Sequence, residues 1–483
     1  MTAGILGCSG ASGPPPPRPN VLLIVLDTVR ADRLSCYGYD RRTTPNIDAI
    51  ADRGVRFEHF FSNSGWTLAA HASLFTGLYP VGHRATQETL ELPVDVPTLA
   101  ELLADAGYQT FAASANPVVN RPSGLVRGFE TFEEVFRLKV RRDRDKSYAE
   151  HNNAAFRRFL MNSERDTPYF AFLNYIEAHA PYEPPEPFRS QFAGDEYTAD
   201  EIRAAMDANL ADHYLVEPFD DRFNALSSTL YDGEMAHLDS RIAELFRFLE
   251  RDGRLEETLV LIVSDHGENL GDHRHVGHVF SVHNTLLKVP MVALFPGGAH
   301  AGEVRGDRAE LLDLFPTILA RCGVTPPRGG PGRDLFAKDA ESVDTAVFAE
   351  YYYPRQVLSV FKPVLLALDM TERNRRAARL VPFMRRLRAV QDDEFKLVWG
   401  SDGAHELYRI DRDPGETRNL AADPANRKVV DDLVSRLEDM VERNEGRNEI
   451  GPPPPVGWMM PGFEEKVDDP ELLKKLRSLG YIK

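Results

Sequence analysis

Leu22-Leu23-Ile24-Val25-Leu26-Asp27-Thr28 is an unbroken apolar run that stops on an acid. A short run without polar alternation reads as a strand buried on both faces, the kind found inside a parallel or mixed sheet. Ligands of open α/β sheets bind at strand ends, so Asp27 stands where a functional side chain is expected. The same pattern returns at Leu259-Val260-Leu261-Ile262-Val263-Ser264-Asp265-His266-Gly267-Glu268. Between them, Ser64-Gly65-Trp66-Thr67-Leu68-Ala69-Ala70-His71-Ala72-Ser73-Leu74-Phe75-Thr76-Gly77-Leu78-Tyr79-Pro80 reads as a turn feeding a short helix, closed by Gly77 and stopped by Pro80. Thr67 is its expected N-cap, a hydroxyl beside free backbone N–H groups where an anion is favoured. Alone, that threonine reads first as an ordinary helix cap, because Ser and Thr caps are common. Together the three stretches offer Asp27, Asp265 and His266 as ligands of a divalent cation around the Thr67 hydroxyl.

Working outward, the 483 residues suffice for one large α/β core and a smaller domain. A formal net charge of −17 argues against general nucleic-acid binding. Cys8, Cys36 and Cys322 are too few for a disulfide framework. Ile5-Leu6-Gly7-Cys8 resembles a bacterial lipoprotein box, which would lipidate Cys8 and tether the protein to a membrane outside the cytoplasm. The stretch lacks a basic n-region and a full apolar h-region, so a chance match stands beside that reading. The boundaries that follow are a leader and proline-rich tether over 1–18, a catalytic domain over 19–343, a smaller α+β subdomain over 344–450, and a proline-rich segment with a closing helix over 451–483.

Strands are expected at Val21 to Leu26, Tyr108 to Ala113, Tyr169 to Asn174, Glu257 to Ser264 and Val289 to Phe295. Helices are expected at Pro45 to Arg53 capped by Thr44, Thr98 to Ala106, Tyr148 to Met161, and Ala225 to Asp252. Such alternation predicts a layered sheet with helices on both faces. Gln191 to Asp220 reads as a polar insertion. Tyr231, Asp232, His237 and Asp239 fall on the long helix and read as a buried polar network. In the last third, strands at Val347 to Tyr352, Phe395 to Trp399 and Glu406 to Ile410 and a helix at Val429 to Asn444 predict a small antiparallel sheet with a packed helix. Arg373, Arg375, Arg376, Arg379, Arg385, Arg386 and Arg388 form a basic cluster. It reads first as a solvated charged face, and otherwise as a surface for an anion or a membrane.

The order of motifs resembles the sulfatase family of the alkaline phosphatase superfamily. Pro19 to Asp27, Thr44 to Ala51, Leu74 to Pro80, Ser264 to Glu268, and Glu406-Leu407-Tyr408 with Asp413-Pro414-Gly415-Glu416 and Asn419-Leu420 carry the resemblance. It implies the α/β alkaline-phosphatase-like fold, a large mixed central sheet flanked by helices plus a small C-terminal antiparallel sheet. It also implies an anionic ester substrate and Asp27, Thr67, Asp265 and His266 as metal ligands. His179, in His179-Ala180-Pro181-Tyr182, resembles the family's substrate-contacting loop. His278 stands closest to where the family places a leaving-group Lys or His, and is the expected general acid. His71 takes the place of the family arginine, one turn from Thr67, as a contact for the substrate anion or simply a helix histidine.

Three departures bear on the reaction. The family's Cys or Ser followed by x-Pro-Ser-Arg matures to formylglycine, whereas Thr67-Leu68-Ala69-Ala70-His71 stands here. Threonine cannot give an aldehyde, so no formylglycine is expected. Thr28 replaces the usual acid after Asp27, and Ser114-Ala115-Asn116-Pro117 replaces a Gly-Lys-Trp-His run. A cation-activated Thr67 attacking phosphate esters is therefore favoured. Sulfate-ester hydrolysis, phospho-group transfer to a lipid or glycan, and a non-catalytic binding protein are the alternatives. One cation is expected, Mn²⁺ or Zn²⁺ before Ca²⁺ because His266 adds imidazole to oxygens. A second ion would draw on His275, His278 or His283, with Asp232 or His237 further off.

Overall fold

The structure is a computed structural model that describes residues 18–138, 147–338, 346–353 and 355–444. Cys8, the closing helix and the last proline run lie outside the described residues. Among the described residues fourteen strands are formed: β1 (Asn20–Leu26), β2 (Val55–Phe61), β3 (Gln109–Ser114), β4 (Thr131–Glu134), β5 (Tyr169–Tyr175), β6 (Thr258–Val263), β7 (Asn269–Leu270), β8 (Val276–Gly277), β9 (Met291–Leu294), β10 (Glu303–Glu310), β11 (Val347–Tyr351), β12 (Leu387–Gln391), β13 (Lys396–Gly400) and β14 (Glu406–Tyr408). Eight of them make one sheet in the order β10-β2-β9-β6-β1-β5-β3-β4. The sheet is mixed because β9 runs antiparallel to both its neighbours, while β1 is parallel to β5 and β6.

The apolar run of β1 places it at the centre. Its side chains alternate between two layers. Val21, Leu23 and Val25 pack with the helix Thr67–Thr76 and with Leu314, Phe315 and Ile318 of the helix Leu314–Arg321. Leu22, Ile24 and Leu26 pack with the helices Tyr148–Asn162 and Asp221–Asp252 on the other face. Full burial of such side chains contributes roughly 1.5–3 kcal/mol each, and from Val21 to Leu26 every side chain of the strand is apolar and buried.

The second sheet, β11-β12-β13-β14, is antiparallel throughout. Val390, Leu397 and Leu407 meet Val430, Leu433 and Leu437 of the helix Arg427–Arg443. Its other face, including Ala349, Leu387 and Val398, meets Tyr214, Phe280 and Phe361.

Several expectations are corrected. Trp66, not Thr67, occupies the N-cap, and Thr67 is the first helical residue with no capping bond. The helix Pro45–Ala51 is likewise not capped by the Thr44 side chain. Its free N–H groups are taken by Asp239 from the long helix, with Ile47 N donating at 2.8 Å. The segment read as a polar insertion holds the helix Ala199–Asp207, started by a Thr198/Glu201 capping box. The arginine cluster is not a free basic face. Arg373 donates to backbone carbonyls of Leu365 and Leu368, Arg386 pairs with Glu88, and Arg388 pairs with Glu350 from inside β12. No helix among the described residues is long and apolar enough to cross a membrane.

Candidate active site

The site forms where four neighbouring strands end on the same side of the sheet. Asp27 follows β1 directly, and Asp265 and His266 lie just beyond β6, whose Val263 is in register with Val25. Asn174 sits near the end of β5, and Asn116 follows β3. The helix Thr67–Thr76 brings Thr67 in from above the sheet. All of these side chains are buried, Asp27, Asp265 and His266 completely.

Hydrogen bonds fix how each group faces the centre. His266 Nδ1–H donates to the Gly267 carbonyl at 3.0 Å, so Nε2 carries the lone pair. That lone pair lies 3.2 Å from Thr67 Oγ1 and 3.4 Å from Asp265 Oδ2. Asp265 Oδ1 accepts from the backbone N–H groups of His266 and Thr28, leaving Oδ2 with no hydrogen-bond partner. Asp27 Oδ2 accepts from Asn116 Nδ2 at 2.6 Å and from Asn174 Nδ2 at 3.4 Å, leaving Oδ1 unpartnered. Two buried carboxyl oxygens without hydrogen-bond partners and an imidazole lone pair thus face one another.

This is the donor set of a divalent cation. One ligand atom each from Asp27, Asp265 and His266 lies within 4.8 Å of the other two. Burial first, and then the charge of Asp265, pushes the Asp27 carboxyl up to about 8. Burial pushes Asp265 up to about 7. Two acids held this reluctantly as anions are what a bound cation relieves. The residues present fit the metal that the sequence implied.

Thr28 holds the Asp27–Asp265 geometry through its backbone. It adopts φ of 60°, a left-handed conformation that costs a β-branched residue about 1–3 kcal/mol. There its N–H meets Asp265 Oδ1 at 3.3 Å, while its carbonyl accepts from Tyr231 at 2.8 Å.

The remaining expected residues fall in three groups. His71 lies on the Thr67 face of its helix, but fully buried, with its ring edge-on to Phe75 and Phe172. Its Nδ1–H donates to the Thr67 carbonyl at 2.9 Å and sits 3.5 Å from Asp265 Oδ2. Burial lowers its pKa to about 3. It therefore packs behind Thr67 and Asp265 as a neutral ring held by the Thr67 carbonyl, with its Nε2 left without a hydrogen-bond partner. His278 and His179 line the other side of His266, with ring centroids 4.6 Å apart for His266–His278 and 4.9 Å for His179–His278. His278 Nδ1 meets Glu268 Oε1 at 3.1 Å. Burial, with His266 beside it, holds the His278 imidazole well below the usual range. In this environment the neutral imidazole is favoured, with Glu268 as its hydrogen-bond partner.

The candidates for a second ion are dispersed. His275 faces Tyr214, His283 bonds Ser281 and Glu406, and Asp232 pairs with Arg41. His237 stands 3.7 Å from Glu234. Among the described residues they form no cluster of three ligands. Sequence reasoning missed Asn116 and Asn174. Asn174 carried a signal, because a polar residue near the end of an otherwise apolar strand repeats the Asp27 pattern. Asn116 reaches Asp27 only through the turn that follows β3.

Comparison with known proteins fits this geometry. The Sulfatase family model matches residues 19–324. The multifunctional alkaline phosphatase superfamily protein PehA of Trinickia caryophylli is 24% identical over 87% of this chain and 94% of its own length. The arylsulfatase of Clostridium perfringens is 22% identical over 89% of this chain and 95% of its own. Among solved structures, the phosphonate monoester hydrolase of Agrobacterium radiobacter shares the fold, with a TM-score of 0.70 at 23% identity over 88% of this chain and 96% of that one. From the family match and the strand-end site together, the chain belongs to the sulfatase family and is a hydrolase acting on ester bonds.

Proposed function

We propose that the protein hydrolyses phosphate esters, with the Thr67 hydroxyl as nucleophile. The observation that carries this is the Thr67 Oγ1 position, 3.2 Å from His266 Nε2 and beside two unpartnered carboxylate oxygens. Asp27, Asp265 and His266 would hold a divalent cation, with Mn²⁺ or Zn²⁺ suiting the imidazole better than Ca²⁺. Bound there, the cation supplies Lewis acidity that lowers the hydroxyl pKa and offsets charge on the ester oxygens.

The chain's own groups do the rest. Thr67 Oγ gives up its proton to solvent and attacks phosphorus, the Oγ–P bond forms, and the bond to the alcohol oxygen breaks, the alkoxide leaving and taking a proton from solvent water. Asn116 Nδ2, 2.6 Å from Asp27 Oδ2 and 3.5 Å from Thr67 Oγ1, holds Asp27 in place and points an N–H towards the reacting oxygens. Water then attacks phosphorus in line, releasing phosphate and returning a proton to Thr67. Neutral His278, fixed by Glu268, accepts the proton of that water. His179 flanks the same side. Without an acid to protonate the departing alcohol, turnover should slow steeply as the leaving group becomes more basic.

The phosphate preference rests on the nucleophile. A formylglycine hydrate can release sulfate by collapsing to the aldehyde, and a plain threonine ester has no such exit. Sulfate esters remain the second reading because the family model is that of sulfatases. Aryl phosphate monoesters, diesters and sulfates assayed side by side with wild type and Thr67→Ala decide between them. Phosphate turnover abolished in Thr67→Ala supports the proposal. A preference for aryl sulfate that survives Thr67→Ala overturns it.

A further inference from the structure

The proposed chemistry leaves one adjoining space unused. Beyond His179, His278 and Glu268 a cleft with a void of about 80 Å³ leads outward, walled by Leu210, Phe219, Phe223 and Val276. Phe219 and Phe223 are half-buried, with ring centroids 4.1 Å apart. Leu210 lies close over the β7–β8 hairpin, since a Cβ at Gly277 would stand 2.8 Å from Leu210 Cδ2. The lining contains no lysine or arginine, and its one carboxylate, Glu268, is buried and turned to His278. The cleft adjoins the centre through His278, which lines it and has its ring 4.6 Å from that of His266, the group that faces Thr67.

We infer that this cleft receives the alcohol portion of the ester and selects an uncharged, apolar alcohol over a polyhydroxylated or ionic one, with Leu210, Phe219 and Phe223 determining that choice. The inference rests on the ester-hydrolase reading of the Thr67 centre. Its physical basis is desolvation. An apolar ring entering the cleft exchanges water for the aromatic and aliphatic walls. Of the polar side chains in the lining, Asn209 accepts from the Ala211 N–H, Asn224 donates to the Phe219 carbonyl, and Asn269 bonds Gly277 and Thr285, so the hydroxyls of a sugar would give up water with little to replace it. A further anionic group would meet no cation. Leu210 and Phe219 come from the segment between the helices Ala199–Asp207 and Asp221–Asp252, and Phe223 from the first turn of the latter, all outside the main sheet, so this specificity is not set by the catalytic strands.

Two probes of similar leaving-group basicity test it, benzyl phosphate and glucose 6-phosphate. Wild type should favour the benzyl ester in kcat/KM by about tenfold or more, the range that burial of a few apolar groups provides. Ser227 also lines the cleft, so Phe223→Ala and the cleft-filling Ser227→Phe should each reduce that ratio at least several-fold. An unchanged ratio in both variants, with Thr67-dependent turnover intact, overturns the cleft assignment and leaves the proposed function standing. Absence of turnover on any ester would contradict the proposed function, and the cleft is then judged by calorimetric titration with 2-naphthol, which needs no chemistry. Saturable binding lost in Ser227→Phe supports the assignment. Absence of saturable binding to wild type overturns it.

Discussion

At the scale of the residue, Thr67 matters through what faces it. The hydroxyl caps nothing, so Thr67→Ala should change stability by no more than about 1 kcal/mol. It should still lower kcat by about 10³-fold or more, as expected when a nucleophile is deleted from an otherwise intact site. Thr67→Ser should keep measurable activity, with a matching circular-dichroism melt as the control for folding. The acids around it give a pH signature. Asp27 and Asp265 rise from an ordinary 3.8 to about 8 and about 7 in the folded chain. Such a shift stabilises the fold at pH below the unfolded value and is lost as pH climbs through 7 and 8. Chelator-treated protein should therefore lose melting temperature across that window more steeply than chelator-treated Asp27→Asn. Adding Mn²⁺ or Zn²⁺ should restore most at high pH and release protons, measurable in weakly buffered solution.

At the scale of the element, the loop after β6 is held by a contact that admits no side chain. A Cβ on Gly267 would stand 2.0 Å from the Thr285 carbonyl oxygen, while Gly267 N–H donates to Leu286 at 2.7 Å. Gly267→Ala should displace His266, lowering metal content and kcat together by at least about tenfold, read by metal analysis alongside a thermal melt. This loop and β1 were legible in the sequence because the apolar runs Leu22–Leu26 and Leu259–Val263 are local signals that end on the acids themselves. Other elements were not. β10 is charged and contains Gly306, and as an edge strand it has one side free of pairing, so Glu303–Glu310 carries no apolar pattern. β12 was hidden among arginines that bond acids contributed from elsewhere in the fold. His71 was placed on the right helix face, but spacing along a helix does not tell which neighbours cover that face. Here they are Phe75, Phe172 and Asp265, and the ring became a packing group.

At the scale of the whole molecule, the small sheet is bound to the catalytic sheet by buried charge. Lys396 Nζ meets Glu416 Oε1 at 2.6 Å and donates to Asn284 Oδ1 at 2.8 Å, both charged side chains being 1% exposed. Asn284 follows His283 in the catalytic part, and its N–H donates to Glu416 Oε2 at 2.6 Å. Removing one member of such a pair strands the other, at a cost of about 3–5 kcal/mol. Lys396→Met should therefore lower the melting temperature of the entire described body in one calorimetric transition, and a separate early transition would show that the two sheets unfold independently. That joint keeps the scaffold rigid beneath the site, and the reaction at Thr67 is what the scaffold serves. The most direct measurement is mass spectrometry of enzyme quenched during turnover of an aryl phosphate. A phosphoryl group on the peptide containing Thr67, absent from Thr67→Ala, is the expected result. Turnover with no covalent adduct on that peptide, and a Thr67→Ala variant as active as wild type, would contradict it.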